Sequence, residues 1–353
     1  MAIGYIEITS VIGCRVDCDF CPQELLMKKY SSINKIENIT YGKPIMMSLE
    51  TFKTCCAKLP KSLVINFSGY TENFLNPEIT KMMLYAHELG HPIRFFSTLV
   101  GMKLEDVDEI KHIPFDAFHI HLPDTEMFAK IAVNSKYLDV LKSVLTSGIK
   151  NMSCMTMGSM HPKIKEILDI KVEPEAMQSR AGNLQIVKNK FERKLGPLSC
   201  NMTSGKELED LVNGNVLLPN GDVALCCMDY GLQNILGNLL KCNYDELFHT
   251  DAFKKIREKM KSQDSDIICR NCGEAVSDDE MDQRRKIAKK AEKNELASSI
   301  IQLYENLLHR FPDKEGFDYF YSRLYNKEIT IQGLEAAIKQ SFEYAHDRRV
   351  EIY

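Results

Sequence analysis

The feature that most constrains this chain is a loop of three cysteines close to its start. The loop reads Gly13-Cys14-Arg15-Val16-Asp17-Cys18-Asp19-Phe20-Cys21-Pro22 and follows an apolar, β-branched run. Three thiolates on one C-x3-C-x2-C loop can hold three irons of a cubane iron–sulfur cluster, whereas four cysteines are the usual ligand set. The fourth iron then keeps an open position, as a catalytic zinc does. The loop therefore predicts a cluster that binds a substrate or cofactor at its open iron.

This loop resembles the signature of the radical S-adenosylmethionine superfamily. The resemblance implies a 4Fe–4S cluster on Cys14, Cys18 and Cys21, with S-adenosyl-L-methionine chelating the open iron. It further implies cleavage of that cofactor to a 5′-deoxyadenosyl radical, which abstracts hydrogen from the substrate. Phe20 stands where relatives place an aromatic residue near the adenine. The alternative is a zinc knuckle or a set of buried thiols, although zinc sites more often use paired C-x2-C or Cys/His sets.

Composition and charge are those of an ordinary globular protein. The 353 residues are 44% apolar and 27% charged, which predicts two or three domains. The formal net charge of −4 gives no electrostatic case for a nucleic-acid partner. No run approaches the roughly 20 apolar residues of a membrane helix, and the start lacks a secretion signal. We therefore expect a cytoplasmic protein whose twelve cysteines serve metal ligation rather than disulfides.

Strand-like and helix-like segments alternate over residues 1–190. The predicted strands are Tyr5–Ile12, Ser62–Phe67, Pro92–Ser97, Ala117–Leu122, Lys150–Met157 and Ile167–Val172. Repeated βα units predict a parallel sheet with helices outside, and hence the α/β class. Six units match the partial (β/α)6 barrel that the superfamily resemblance implies.

Polar side chains alternate with apolar ones along three of these strands. In Ala117–Leu122 the large apolar residues share one parity, and His119 and His121 share the other. Glu7 and Asn66 repeat the pattern in the first two strands. A strand buried on both faces should be apolar throughout, so the alternation predicts a lumen lined for a polar ligand. At any single position, a satisfied polar group in a layered core is the alternative.

The second strand runs into a segment that resembles the superfamily's GGEP element. Gly69 and Glu72 match it, whereas Thr71 and Asn73 replace its second glycine and its proline. The resemblance implies that Glu72 accepts a charge-assisted hydrogen bond from the ammonium of S-adenosylmethionine. A solvent-exposed loop glutamate is the alternative.

Four further side chains are candidates to bind the cofactor or the substrate. Ser97 ends the third strand in a turn similar to the Thr-Asn-Gly turn of relatives. His121 replaces a serine that faces the methionine carboxylate in relatives, and a histidine there can bind a carboxylate or shuttle a proton. His119 shares its face, and Arg180 stands where aminocyclitol-oxidising relatives keep an arginine near the substrate. Because arginine stays protonated, we expect Arg180 to orient substrate oxygens; a plain salt bridge is the alternative.

A second cysteine group lies in residues 191–280. Its four predicted ligands are Cys200, Cys226, Cys269 and Cys272. The set resembles the auxiliary-cluster domain of the SPASM/twitch group, in the shorter twitch form because no cysteine follows Cys272. Cys226 is preferred to Cys227 because it keeps the spacing from Gly221. The resemblance implies a second, fully ligated 4Fe–4S cluster that accepts or conducts electrons, with a four-cysteine structural zinc site as the rival.

Residues 281–353 have helical periodicity. They resemble a small helical domain of unknown function that is often found beside glycosyltransferases. Nothing in this segment looks catalytic, so we expect an interaction module that binds a protein partner. The predicted domains are therefore 1–190, 191–280 and 281–353.

The whole resemblance implies a radical S-adenosylmethionine oxidoreductase of the twitch group with two 4Fe–4S clusters. The expected reaction oxidises a secondary alcohol of a small carbohydrate- or aminocyclitol-like substrate, and the auxiliary cluster accepts the electron. A flavodoxin or ferredoxin is the expected reductant. The alternatives are a radical epimerase, a peptide maturase and a non-catalytic iron–sulfur scaffold of a glycosylation complex. The maturase is disfavoured because the chain starts at the first barrel strand, and the epimerase needs a thiol donor such as Cys154 or Cys227.

Overall fold

A computed structural model describes residues 4–168, 172, 174–175, 177–184, 192–202, 214–308 and 310–345. The strands are β1 (Tyr5–Ile8), β2 (Val11–Ile12), β3 (Ile45–Met46), β4 (Val64–Phe67), β5 (Ile93–Ser97), β6 (Ala117–His121), β7 (Met152–Met155), β8 (Leu198–Cys200), β9 (Asn215–Leu217), β10 (Asp222–Ala224), β11 (Ile235–Asn238) and β12 (Ala275–Ser277). The helices are α1 (Gln23–Asn34), α2 (Leu49–Cys56), α3 (Ile79–Glu88), α4 (Leu104–Ile110), α5 (Ser135–Thr146), α6 (Pro162–Lys165), α7 (Asp251–Lys261), α8 (Asp278–Ala291), α9 (Glu295–Leu308), α10 (Lys314–Tyr325), α11 (Ile331–Lys339) and α12 (Phe342–Ala345).

An eight-stranded sheet forms the centre of the fold, in the order β11-β10-β9-β1-β4-β5-β6-β7. Strands β1, β4, β5, β6 and β7 pair in parallel, and helices α3, α4 and α5 connect the last four of them. This arrangement confirms the predicted α/β class. The sixth predicted strand, Ile167–Val172, lies partly outside the described residues; beyond it, Pro174 forms a parallel bridge with Thr156.

The first predicted strand, Tyr5–Ile12, is divided into two. After β1 the backbone leaves the parallel sheet, and β2 pairs antiparallel with β3 instead. The Ser10 N–H donates to the Asn73 side chain at 3.2 Å rather than to a neighbouring strand. The cysteine loop that follows β2 is thereby carried over the end of the parallel sheet.

The cysteine-rich region continues the barrel sheet rather than packing beside it. Strand β9 pairs in parallel with β1, with Glu7 opposite Val216, and β10 and β11 extend the sheet antiparallel. The predicted boundary near residue 190 falls outside the described residues. The two cysteine groups therefore approach one another through a shared sheet.

The two faces of the sheet differ as the sequence alternation predicts. One face packs on the helices and is fully buried; it includes Ile6, Ile65, Phe67, Phe95, Phe118 and Ile120. On the opposite face Glu7 pairs with Asn66, and Phe96 pairs with His119. The polar side chains of three strands thus share one surface.

The C-terminal helices form a hydrophobic cluster of their own. It contains Ile287, Ala297, Ile300, Tyr304, Phe317, Leu324, Leu334 and Ile338. Each of α10 and α11 begins at a side-chain cap, Asp313 and Thr330 respectively. The described helices include none with the length and apolar character needed to cross a membrane. The resemblance of this segment to the glycosyltransferase-associated domain stays a prediction.

Candidate active site between two cysteine groups

The three N-terminal cysteines lie on the loop between β2 and α1. Gly13 opens the loop with φ +98°, and a Cβ there would lie 3.0 Å from the Thr40 carbonyl oxygen. Burial raises the pKa of the Cys14 thiol to about 11. Burial, and then the neighbouring Cys21 and Cys14 thiols, raise the pKa of Cys18. The raised pKa values favour the protonated thiols. A bound iron would favour the thiolates instead, because coordination deprotonates a thiol.

Hydrogen-bond donors surround the sulfurs of this loop. The Glu72 N–H donates to Cys14 Sγ at 3.4 Å. Gln23 Nε2 donates to Cys21 Sγ at 3.4 Å, and Tyr230 Oη lies 3.3 Å from the same sulfur. Such donors stabilise thiolates and tune iron–sulfur clusters. The three thiols and their surroundings therefore fit a cluster held by Cys14, Cys18 and Cys21.

The Glu72 carboxylate is buried and takes part in a dense set of hydrogen bonds. It accepts from the Phe74 N–H at 2.9 Å and from Ser97 Oγ at 2.9 and 3.0 Å. It also accepts from Thr98 through the N–H at 2.5 Å and Oγ1 at 2.6 Å. A carboxylate has about four acceptor positions, and most of those of Glu72 are used by Ser97 and Thr98. Glu72 therefore stabilises the turn after β5. The assignment of Glu72 and Ser97 to the cofactor stays a prediction.

Gly69 occupies a position that only a glycine fits. Its φ is +73°, and a Cβ would lie 2.4 Å from Thr9 Oγ1. Thr9 Oγ1 in turn accepts a hydrogen bond from the Tyr70 N–H at 3.0 Å. The described contacts thus give Gly69 a backbone role, the close approach of the β4 end to β1; its predicted contact with the cofactor stays a prediction.

The Phe20 and His121 rings stack beside the cysteine loop. Their centroids are 5.1 Å apart and their planes differ by 15°. Burial lowers the pKa of His121 to about 4, and its Nε2 has no described hydrogen-bond partner, so a neutral ring offers one nitrogen to a ligand. His119 lies two residues earlier in β6, with Nδ1 2.5 Å from Ser153 Oγ and its ring against Phe96. The structure therefore brings His121, more than His119, to the cysteine loop.

Five thiols meet in the second cysteine group. Burial, and then Cys227, Cys269 and Cys200, raise the pKa of Cys226. Burial, followed by Cys200 and Cys272, raises the pKa of Cys269. The four predicted ligands are thus brought together, and Cys227 joins them; the choice of Cys226 over Cys227 stays a prediction. Within the described ranges no group of three or more His, Cys, Asp or Glu side chains surrounds a single-ion position.

Arg270, inside the C-x2-C pair, organises this second group. Its side chain is fully buried. The guanidinium donates to the carbonyl oxygens of Lys194 at 2.9 Å, Gly196 at 3.0 Å, Lys259 at 3.2 Å and Ser262 at 2.6 Å. The sequence offers no signal for this role, because these acceptors are backbone atoms from two separate segments, 194–196 and 259–262.

Arg180 and Glu7 are charged groups that lie between the two cysteine groups. Burial opposes the charge on Arg180, yet nearby Tyr230 and Cys227 raise its pKa, and Cys21 and Glu7 add to the effect. Burial raises the pKa of Glu7 to about 7, against the opposing charge of Arg180. Arg180 Nε and Glu7 Oε2 have no described hydrogen-bond partner. The alternation singled out Glu7 as lumen-facing but gave it no role.

A cavity of about 150 Å³ opens beside Arg180. Its lining includes Gln178, Ser179, Met228, Cys272 and Glu274. The cavity therefore touches both the predicted substrate-orienting arginine and a predicted ligand of the auxiliary cluster.

The two candidate hydrogen donors of an epimerase differ in position. Cys154 pairs with Ile120 in the sheet register, so it shares the face that packs on the helices. Cys154 therefore does not fit the role of hydrogen donor in the epimerase alternative, since the strand places it on the side opposite to the polar face. Cys227 lies close to Glu7 and Arg180 and remains a candidate.

Residues 211–273 match the family described as the SPASM iron-sulfur cluster-binding domain. The chain is similar in fold to a crystal structure of BtrN in complex with AdoMet and 2-DOIA: TM-score 0.51, 17% identity, covering 77% of this chain and 94% of that one. It is also similar to Streptococcus suis SuiB bound to precursor peptide SuiA: TM-score 0.50, 12% identity, covering 76% and 69%. No curated protein sequence matched. The domain match confirms the predicted auxiliary iron–sulfur region, and the fold likeness confirms the predicted architecture.

Proposed function

We propose that this chain, a radical S-adenosylmethionine enzyme with a SPASM-type iron–sulfur domain, oxidises a secondary alcohol of a small carbohydrate- or aminocyclitol-like substrate. Its cofactors are S-adenosyl-L-methionine and iron–sulfur clusters, consistent with two 4Fe–4S clusters. When bound, they supply a radical that abstracts hydrogen and an acceptor for the remaining electron. The observation that carries the proposal is buried Glu7 on the polar face of the sheet, with the partly buried Arg180 close to it and to Cys21 and Cys227 of the two cysteine groups.

Arg180 and Glu7 can act on the same substrate alcohol: Arg180 can orient its oxygen, and Glu7 can accept its proton. Arg180 has five fixed N–H donors; Nη1 donates to Gln178 at 3.3 Å, and the partnerless Nε is free to orient a substrate oxygen. With its pKa at about 7, Glu7 is partly ionised near neutral pH and can accept the hydroxyl proton. His121, kept neutral by burial, can accept a further hydrogen bond at the cysteine-loop end of the site.

Two ligands of fold relatives suggest the candidate substrate classes. BtrN was solved with AdoMet and 2-DOIA, and SuiB with a precursor peptide. Buried Glu7 and partly buried Arg180 favour a small polar molecule over a peptide, because each charge is best desolvated against a matching polar group. Peptide maturation is therefore the second candidate. We further propose that a flavodoxin or ferredoxin supplies electrons, that the enzyme acts in the cytoplasm, and that residues 281–353 bind a protein partner.

The test uses anaerobically reconstituted protein, S-adenosylmethionine, dithionite and a panel containing 2-DOIA and related aminocyclitols, sugars and a precursor peptide. Oxidation gives a product two hydrogens lighter and one 5′-deoxyadenosine per product. In heavy water it leaves no new carbon-bound deuterium at the reacting carbon. Stable deuterium at that carbon, lost in Cys227→Ala, would instead establish an epimerase.

The matched variants are Arg180→Lys and Glu7→Gln. Both should cleave S-adenosylmethionine while making at least about tenfold less product, as expected when an orienting or proton-accepting group is removed. Full product yield in both variants would contradict the proposed roles. Product formation only from the peptide would favour the second candidate.

A further inference from the structure

We propose that Tyr230 sets the reduction potential of the cluster held by Cys14, Cys18 and Cys21, by donating a hydrogen bond to the Cys21 sulfur. Tyr230 Oη lies 3.3 Å from Cys21 Sγ, and the two residues are 209 positions apart in the sequence. Tyr230 is 2% exposed and follows the cysteine pair of the auxiliary region. A side chain of that region therefore reaches the cysteine loop of the barrel.

The chemistry of the two groups fixes the direction of this hydrogen bond. With a free thiol either atom can donate, but a metal-bound sulfur carries no proton and can only accept. Arg180, the charged neighbour of Tyr230, cannot accept because a guanidinium has donors alone. The phenol proton is thus directed to Cys21 whenever the cysteine is a ligand.

Tyr70 packs against the Tyr230 ring and hydrogen-bonds to the turn that precedes it. The rings of Tyr70 and Tyr230 are 4.6 Å apart at their centroids. Tyr70 Oη donates to the carbonyl oxygens of Cys226 at 2.6 Å and Asp229 at 3.2 Å. Gln23 Nε2 donates to the Tyr70 carbonyl oxygen as well as to Cys21 Sγ. The aromatic pair thus ties the turn after Cys226 to the loop of the first cysteine group.

A hydrogen bond to a ligand sulfur favours the more negative, reduced state of a cluster, so it raises the reduction potential. Tyr230 makes this contact from the auxiliary region, so the potential of the first cluster depends on how that region sits against the barrel. Tyr230 is thereby a positioning residue that acts through Cys21. The inference rests on the cluster fit and needs no substrate, so its failure would be separate from failure of the proposed oxidation.

The experiment is a redox titration of the full-length, reconstituted protein followed by electron paramagnetic resonance. The cluster that changes its signal on addition of S-adenosylmethionine is the one followed. Tyr230→Phe should shift its midpoint to a more negative potential with unchanged iron content. Tyr137→Phe is the control: Tyr137 is a buried barrel tyrosine whose hydroxyl has no described partner, and its loss should shift nothing.

A second variant separates hydrogen bonding from packing. 3-Fluorotyrosine at position 230 keeps the ring and strengthens the O–H donor, so the midpoint should move to a less negative potential than in the wild type. Opposite shifts for phenylalanine and fluorotyrosine support the proposal. An unchanged midpoint in either variant, or shifts in the same direction, would overturn it. If Tyr230→Phe fails to load its cluster, the fluorotyrosine protein alone decides by the same criterion.

Discussion

The two cysteine groups are built in opposite ways. The first lies on one short loop, Cys14–Cys21, whose turn begins at Gly13. The second collects Cys200 from β8, Cys226 after β10, and a pair from the 3-10 helix Ile268–Asn271 and its end. Closing a longer loop costs more chain entropy, so the second group depends on the surrounding fold while the first depends mainly on its loop. The first group can therefore keep its shape with its three predicted ligands, whereas the predicted four-cysteine set of the second depends on the surrounding fold and on the buried Arg270.

Replacing the cysteines should give the largest effect, and it tests whether the two cysteine groups hold independent clusters. Replacing Cys14, Cys18 and Cys21 with alanine should leave about half of roughly eight irons and abolish cleavage of S-adenosylmethionine. Replacing Cys269 and Cys272 should also halve the iron, yet cleavage should persist without coupling to product. Iron analysis and 5′-deoxyadenosine yield measure both. Equal loss of cleavage in the two variants would show that the groups are not independent.

The contrast explains what the sequence can predict. The first cysteine loop and the polar face with Glu7 and His121 follow from local spacing and period-two alternation. The pairing of β9 with β1 could not be foreseen, since it joins segments about 200 residues apart with no periodic signal. The Tyr230–Cys21 contact is hidden for the same reason. The face on which Cys154 lies could not be foreseen either, because alternation fixes a side only after the register is known.

Arg270 tests whether the second group depends on its fold. Arg270→Met should destabilise the protein by about 3 kcal/mol, because it leaves buried carbonyl groups without their donor. The auxiliary cluster should be lost while the first cluster and its cleavage activity remain. The control is Arg193→Gln, which breaks an exposed pair with Asp264 and should cost at most about 1 kcal/mol. Anaerobic urea unfolding and visible absorption provide the readout. Similar losses in both variants would contradict the organising role.

Substitution of two glycines tests whether the close backbone packing between the end of β4 and β1 contributes to the stability of the fold that carries the first cysteine group. Gly69→Ala should cost about 2 kcal/mol, since its Cβ meets Thr9 Oγ1 at 2.4 Å and φ is positive. Gly90 also has a positive φ, +84°, but a Cβ there would meet nothing within 4 Å. Gly90→Ala should therefore cost only about 1 kcal/mol. Thermal denaturation of both variants measures the difference, and equal costs would show that the contact with Thr9 is unimportant.

Glu7 should give the smallest effect, a dependence on pH. Its pKa is raised from 4.5 to about 7 in the folded protein, so the folded state holds more protons than the unfolded state between these values. Stability therefore falls as pH rises through that window, by about 1 kcal/mol between about pH 6 and pH 8. Glu7→Gln should lack this fall. Urea unfolding at several pH values checks it, and parallel pH profiles of the two proteins would remove Glu7 as a proton acceptor.

The most direct test of the account is Mössbauer spectroscopy of protein reconstituted with iron-57, with and without S-adenosylmethionine. The central claim is that the first cysteine group holds a cluster with one open iron and the second holds a fully ligated one. Adding S-adenosylmethionine should change the signal of one iron in about eight and leave the second cluster as it was. A change at both clusters, no change at either, or zinc in place of iron at the second group would contradict the account.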